Sequence, residues 1–252
     1  NGVFHNLILA KIKTLYPGHA SQMMHAFWGV GQMSFVKHAI FVNEDAPELT
    51  NHDELTRYIL NRINIDDMLI SKGVVDALDH SSPKFAVGGK LGIDCTGDEV
   101  KELGITLLED DELLAKMQNI SNEVKALKQY FTDTKNPITV ISVEKTRNQK
   151  ELFEDLKPLF GHIKILIIVD SAKNDVNNPY MLVWRVCNNI DSNRDLYVEN
   201  QTMCLDATDK NKLDNFNRRW PDDVDCTKEV LDSLRERKII DISDEFIKKF
   251  YL

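Results

Sequence analysis

The segment from Val36 to Ile70 can be laid without a gap on the segment from Ile163 to Tyr197, and this repeat constrains the fold more than any other feature of the chain. At one constant offset Lys37 meets Lys164, Ile40 meets Ile167, Val42 meets Val169, Asn51 meets Asn178, Leu55 meets Leu182, Asn61 meets Asn188, Ile63 meets Ile190 and Leu69 meets Leu196. Upstream, Leu9 to Thr14 faces Ile141 to Thr146, and downstream Ile93-Asp-Cys-Thr96 faces Leu205-Asp-Ala-Thr208. A chain that repeats apolar and polar positions in this way folds as two copies of one unit.

Within the first copy, Leu7 to Ile12 is rich in strand formers, and Tyr16-Pro-Gly-His-Ala20 carries turn signals that open a helix from Ser21 to Trp28. Val36 to Val42 reads as a second strand, Asn51-His-Asp-Glu-Leu55 as a helix start, and Asp67 to Ile70 as a third strand. Alternating strands and helices of this kind imply a three-layer α/β/α fold with a mainly parallel sheet, built here from two related βαβ units plus C-terminal helices. The first α/β unit spans 1–106 and contains a polar loop at 73–90. A connecting helix spans 107–136, with the acidic run Glu109-Asp-Asp-Glu112 in its first turn and apolar positions continuing through Val124 and Leu127. A degenerate second copy spans 137–210, and 211–252 forms a tail with helices at Thr227 to Lys238 and Ser243 to Tyr251. The apolar end of the last helix, with Phe246, Ile247, Phe250 and Tyr251, requires a surface to lie on, such as a neighbouring subunit. The chain opens Asn1-Gly-Val-Phe and enters a strand within five residues, as a fragment would.

Composition narrows the function classes. With 31 Lys and Arg against 40 Asp and Glu the net charge is −9, and the basic residues are scattered, so neither nucleic acid nor an anionic membrane surface is an expected partner. The longest apolar run, Ile165 to Val169, is far too short for a membrane span, and the sequence is of cytoplasmic type. Cys95, Cys187, Cys204 and Cys226 are widely spaced, with no pairing or metal-ligand pattern, and read as reduced, mostly buried thiols.

The copies differ at one place. The first carries Gly73 to Lys90, which the second replaces with Glu199 to Cys204. The insert concentrates Asp76, Asp79, His80, Ser81, Ser82 and Lys90 beside Gly88 and Gly89, and it follows a strand, where α/β sheets gather ligands at carboxyl ends. Lys37 stands near the start of an otherwise apolar strand. It reads as a phosphate contact or as a strand-end lysine reaching water, and its match to Lys164 favours the second. Gly29-Val-Gly31 is too short for a dinucleotide fingerprint, and neither a nucleophile elbow nor a phosphate-binding loop of the G-x-x-x-x-G-K type occurs. Residue patterns alone assemble no catalytic constellation and no metal site.

Several dispersed motifs, in order, resemble the C-terminal part of the UbiD family of prenylated-flavin-dependent decarboxylases. They are Gly2-Val-Phe-His-Asn-Leu7, Tyr16-Pro-Gly-His-Ala20, Trp28-Gly29, Gly31-Gln-Met33 leading to Lys37, Asp76-Ala-Leu-Asp-His80, Gly92-Ile-Asp-Cys-Thr96 and, in the tail, Arg219-Trp-Pro-Asp-Asp223. The resemblance implies non-oxidative decarboxylation of an aromatic or unsaturated acid, and the wording around Asp76 is most similar to the menaquinone branch. It also implies prenylated FMN supplied by a flavin prenyltransferase, and a divalent metal, both held mostly by an upstream part outside this chain. The C-terminal domain would then cap the active site and build a homo-oligomer, dimer or hexamer. Lys37 would lie near the cofactor phosphate, and the loop with Asp76, Asp79, His80 and Ser81 would border the substrate. No catalytic role passes to any residue of this chain. The family usually has one copy of the unit, so the second reads as a scaffold duplicate, and a wholly non-catalytic interaction module is the rival reading.

Overall fold

The computed structural model describes residues 2–3, 5–101 and 104–250, with side chains from His5 onward. Phe4 of the opening motif and Tyr251 of the final helix lie outside them. The first unit contains β1 (Gly2–Val3), β2 (Leu7–Ile12), α1 (His19–Gly29), β3 (His38–Asn43), α2 (His52–Leu60), β4 (Leu69–Val74) and β5 (Val87–Cys95). The second contains α3 (Asp110–Ile120), β6 (Val124–Tyr130), β7 (Ile138–Val143), α4 (Gln149–Asp155), β8 (Ile165–Asp170), α5 (Pro179–Asn189), α6 (Ser192–Asp195), β9 (Leu196–Glu199) and β10 (Thr202–Asp206). The tail adds α7 (Lys228–Glu236) and α8 (Asp244–Lys248).

Each unit forms its own five-stranded sheet, ordered β1-β2-β3-β5-β4 and β6-β7-β8-β10-β9. The repeat holds at the level of single hydrogen bonds, but its upstream match shifts by one residue: Leu9 stands opposite Ile40 as Val140, not Ile141, stands opposite Ile167. Leu91 N–H donates to the Lys37 carbonyl at 2.8 Å, and the matching Met203 N–H donates to the Lys164 carbonyl at 2.8 Å. Asp94 accepts from the Thr96 amide and hydroxyl just as Asp206 accepts from those of Thr208.

Helices cover both faces of each sheet, as expected of α/β/α layers. Ala20 and Met24 of α1 pack on Ala39 and Phe41, while Leu55, Ile59 and Leu60 of α2 pack on Val42, Leu91 and Ile93. In the second unit Leu113, Met117, Leu152 and Phe153 cover Ile141, Leu166 and Ile168, and Leu182 of α5 lies on Val140, Val169 and Leu205. The α2 cluster also takes in Ile165 and Met203, so the inner faces of the two units share one core.

Three expectations need correction. The sheets are parallel only across their central strands, because β1, β4, β6 and β9 are antiparallel edges. The strand expected at Asp67 to Ile70 is β4, and it pairs with β5 in a hairpin instead of following β3 as a parallel neighbour. The loop after β4 therefore sits at the amino ends of the parallel strands, not at their carboxyl ends. The connecting helix stops at Ile120, and Val124–Tyr130 is an edge strand on β7. Ser121 is extended there (φ −144°, ψ 127°), and the ladder with β7 overrides the helical spacing of Val124 and Leu127.

Candidate functional site

Lys37 precedes β3 and is 2% exposed, which places an ammonium group inside the protein. A buried cation persists only where its protons are accepted. Lys37 Nζ donates to Asp79 Oδ1 at 2.9 Å, to Ser81 Oγ at 2.8 Å and to the Asn188 carbonyl at 3.1 Å. The first two acceptors lie in the polar loop and the third closes α5 of the second unit. Burial pushes the Asp79 carboxyl upward, but Lys37, the Ser81 hydroxyl and the Ser82 amide outweigh it and hold the group below its ordinary range. Ser82 N–H meets Asp79 Oδ2 at 2.8 Å, so the loop folds around its own carboxylate.

Around this centre the second unit and the tail grip the loop. Ser81 Oγ reaches the Ile190 carbonyl at 3.2 Å, and Gly89 N–H donates to Asp191 Oδ2 at 2.8 Å. Arg194 Nη1 donates to the Ser81 carbonyl at 2.9 Å, while Arg218 Nη1 donates to the Ser82 carbonyl at 2.7 Å and the Asp79 carbonyl at 3.2 Å. His80 faces Asn189 Oδ1 at 3.2 Å and stands edge-on to Trp220, 4.7 Å between ring centroids. Burial lowers the His80 imidazole pKa, against the Asn189 contact. Asp76 turns away from this centre, pairing with His5 and accepting the Leu78 amide. Lys90, within β5, donates to the Ser34 and Val36 carbonyls at 2.6 and 2.7 Å, and burial draws its pKa down to about 8.

Of the residues singled out in the sequence, the structure joins Lys37, Asp79 and Ser81 directly. His80 lies on the far side of the loop and Asp76 at its outer edge. Sequence reasoning missed the turn from Asn188 to Arg194, as well as Arg218 and Trp220. The only signal for them was the Arg219-Trp-Pro-Asp-Asp223 motif, whose Trp220 closes over His80.

The residues do not form a cradle for a flavin phosphate at Lys37. An ammonium has three protons, and all three are engaged by acceptors of this chain. Among the described residues no three His, Cys, Asp or Glu side chains are placed to hold a metal ion. Burial pushes the Cys95 and Cys187 thiols up to about 12, and that of Cys204 well above its ordinary value, which leaves them as inert packing groups.

His38 makes this interface pH-sensitive. It is buried beside Lys37, Asp79 and Lys90, neither ring nitrogen has a good hydrogen-bond partner, and only the Cys187 carbonyl and Asp79 favour its protonation. Burial, and then the Lys37 charge, lower its pKa from 6.5 to about 3. The folded imidazole stays neutral where the unfolded one is charged, so stability is full above pH 6.5 and declines as pH falls toward 3. The expected difference between wild type and His38→Met in urea titrations is flat above pH 6.5 and changes by about 1.4 kcal/mol per pH unit below it.

The architecture is thus a duplicated α/β module whose polar centre is a closed interface between its two units. The chain belongs to the family described as the 3-octaprenyl-4-hydroxybenzoate carboxy-lyase C-terminal domain, whose model matches residues 1–95 and 105–218 and so takes in both copies. An uncharacterised protein of Helicobacter pylori (strain J99) is 51% identical over 255 residues, covering 100% of this chain and 41% of the relative. The chain thus spans about two fifths of the length of that relative. Among solved structures, the UbiD-class enzyme HmfF from Pelotomaculum thermopropionicum in complex with FMN is 26% identical, with a TM-score of 0.31 over 36% of this chain and 19% of that one. An evolved dimeric form of the same enzyme in complex with prFMN is 17% identical, with a TM-score of 0.36 over 60% of this chain and 41% of that one.

Proposed function

We propose that this chain is the capping and assembly domain of a prenylated-FMN-dependent decarboxylase acting on an aromatic or unsaturated acid, with a place in quinone biosynthesis of the menaquinone type. The family match across both units carries the reading. Further support comes from the site itself. Its charged groups are engaged by partners within this chain, so the chemistry belongs to a longer polypeptide and this domain supplies a rigid wall. The loop tip, with Leu78 89% and Phe85 71% exposed, is the part of the first unit that would border the acid. Prenylated FMN, a divalent metal and self-assembly of the whole protein belong to this reading, with a flavin prenyltransferase supplying the cofactor.

The test is the full-length protein coexpressed with a flavin prenyltransferase. The expected result is a flavin absorbance band with the mass of the prenylated cofactor, and CO₂ release from naphthoate-type acids. Full-length protein that purifies without flavin under those conditions would replace this reading with a non-catalytic scaffold built from the same domain.

A further inference from the structure

The two units meet as copies related by a two-fold axis meet. Asn6, just before β2, donates its side-chain amide to Asn188 Oδ1 at the end of α5, at 2.7 Å. On the opposite side, Lys135 N–H donates to Asn61 Oδ1 at 2.9 Å, and Asn136 Nδ2 donates to the Leu60 and Ile63 carbonyls at 2.8 and 3.0 Å. Asn61 and Asn188 are equivalent in the repeat. So are the residues just before β2 and β7, since the His38 amide bonds to the Asn6 carbonyl as the Ile165 amide does to that of Pro137. The start of the first parallel strand of each unit, β2 or β7, therefore contacts the end of the inner helix of the other, the reciprocal pattern of an isologous interface.

The buried charge at this interface is one-sided. Lys37 reaches across to the Asn188 carbonyl, whereas among the described residues Lys164 donates to Gln201 of its own unit, at 3.3 Å. The loop of the first unit is answered in the second by a hairpin turning at Asn200 and Gln201, both with positive φ (50° and 61°). The loop of the first unit packs on the turn from Asn188 to Arg194, and this turn is itself anchored. Asp195 Oδ2 accepts the Asp191 amide at 2.8 Å, Arg194 pairs with Asp195 at 2.6 Å, and Lys210 stands 3.6 Å from the same carboxylate.

We propose that the second unit is a partner built into the chain: it fills the face on which a second copy of the first unit would sit and, through Asn188–Arg194, sets the conformation of the loop from Asp76 to Gly89. Asp191 and Arg194 are positioning residues for that loop, holding it by the Gly89 amide and the Ser81 carbonyl. This inference is independent of the reaction that the whole protein performs.

Hydrogen exchange on the full-length protein tests it without reference to activity. In Asp191→Ala and Arg194→Ala, peptides covering residues 76–89 are expected to exchange at least tenfold faster, while those covering β3 and β8 keep their wild-type rates. Gln201→Ala, which loses the contact to Lys164 within the second unit, should leave the loop unchanged. Unaltered loop exchange, or an equal rise across both units, would overturn the assignment. A second measurement does not depend on these variants folding. A protease site inserted after Gly97, where the structure leaves open space, is cut and the product run on a sizing column. The two halves are expected to stay together at the uncut mass, and their separation under native conditions overturns the built-in partner.

Discussion

Lys37→Ala is expected to lower the stability of the protein by about 3–5 kcal/mol, the largest effect of any single truncation around the loop. The loss comes less from the missing attraction than from what stays behind. Asp79, whose side chain is 4% exposed, would remain buried without its counter-ion, and the Asn188 carbonyl would lose its donor from the opposite unit. Lys164→Ala removes a single 3.3 Å contact to Gln201, and about 1 kcal/mol is the expected cost. Adding Asp79→Asn to a Lys37→Met background should recover part of the loss, because the buried charge goes with its partner. Urea titrations of the four variants and the wild type at pH 7 check the order. Equal losses for the two lysines would show that the repeat places them in equivalent roles after all.

The second large effect is expected at Gly89. A methyl group there would stand 2.5 Å from Ser192 Oγ, 2.7 Å from the Ser192 backbone nitrogen and 2.8 Å from Asp191 Oδ1. A backbone nitrogen cannot swing aside as a side chain does, so Gly89→Ala must part β5 from α6. Parting them breaks the Gly89 to Asp191 hydrogen bond and disturbs the Asp191 cap on the Asn193 amide. A loss of about 3 kcal/mol is expected, the upper part of the overpacking range with a broken cap added. Gly97→Ala meets nothing within 4 Å and should change stability by less than about 0.5 kcal/mol. Thermal or urea unfolding of the pair measures the contrast, and a neutral Gly89→Ala would mean that the two units approach less closely than their backbones indicate.

Both effects lie on the contact between units, which is where sequence and structure diverge. The duplication, the strands at Leu7–Ile12, His38–Asn43 and Ile165–Asp170, and the inner helices α2 and α5 were legible because each rests on local periodicity and matched apolar positions. The helix-to-strand change after Ile120 was not legible, since the spacing of Met117, Ile120, Val124 and Leu127 suits a helix. Only the ladder with β7 selects the strand.

The candidate site was legible as a composition and not as a geometry. Lys37, Asp79, His80 and Ser81 were identifiable from a polar insert present in one copy alone and from a family motif. Nothing in their order showed that three of the chain's own acceptors consume the lysine's protons, because one of those acceptors is the backbone carbonyl of Asn188, 151 positions away. By itself the sequence determined that there are two α/β units and that one of them carries a charged loop. Only the tertiary structure decided where the loop sits and what its charges do. Strand order and inter-unit packing depend on contacts between residues far apart in the chain, and burial turns a lysine and an aspartate into a clamp only when a second surface excludes water from them.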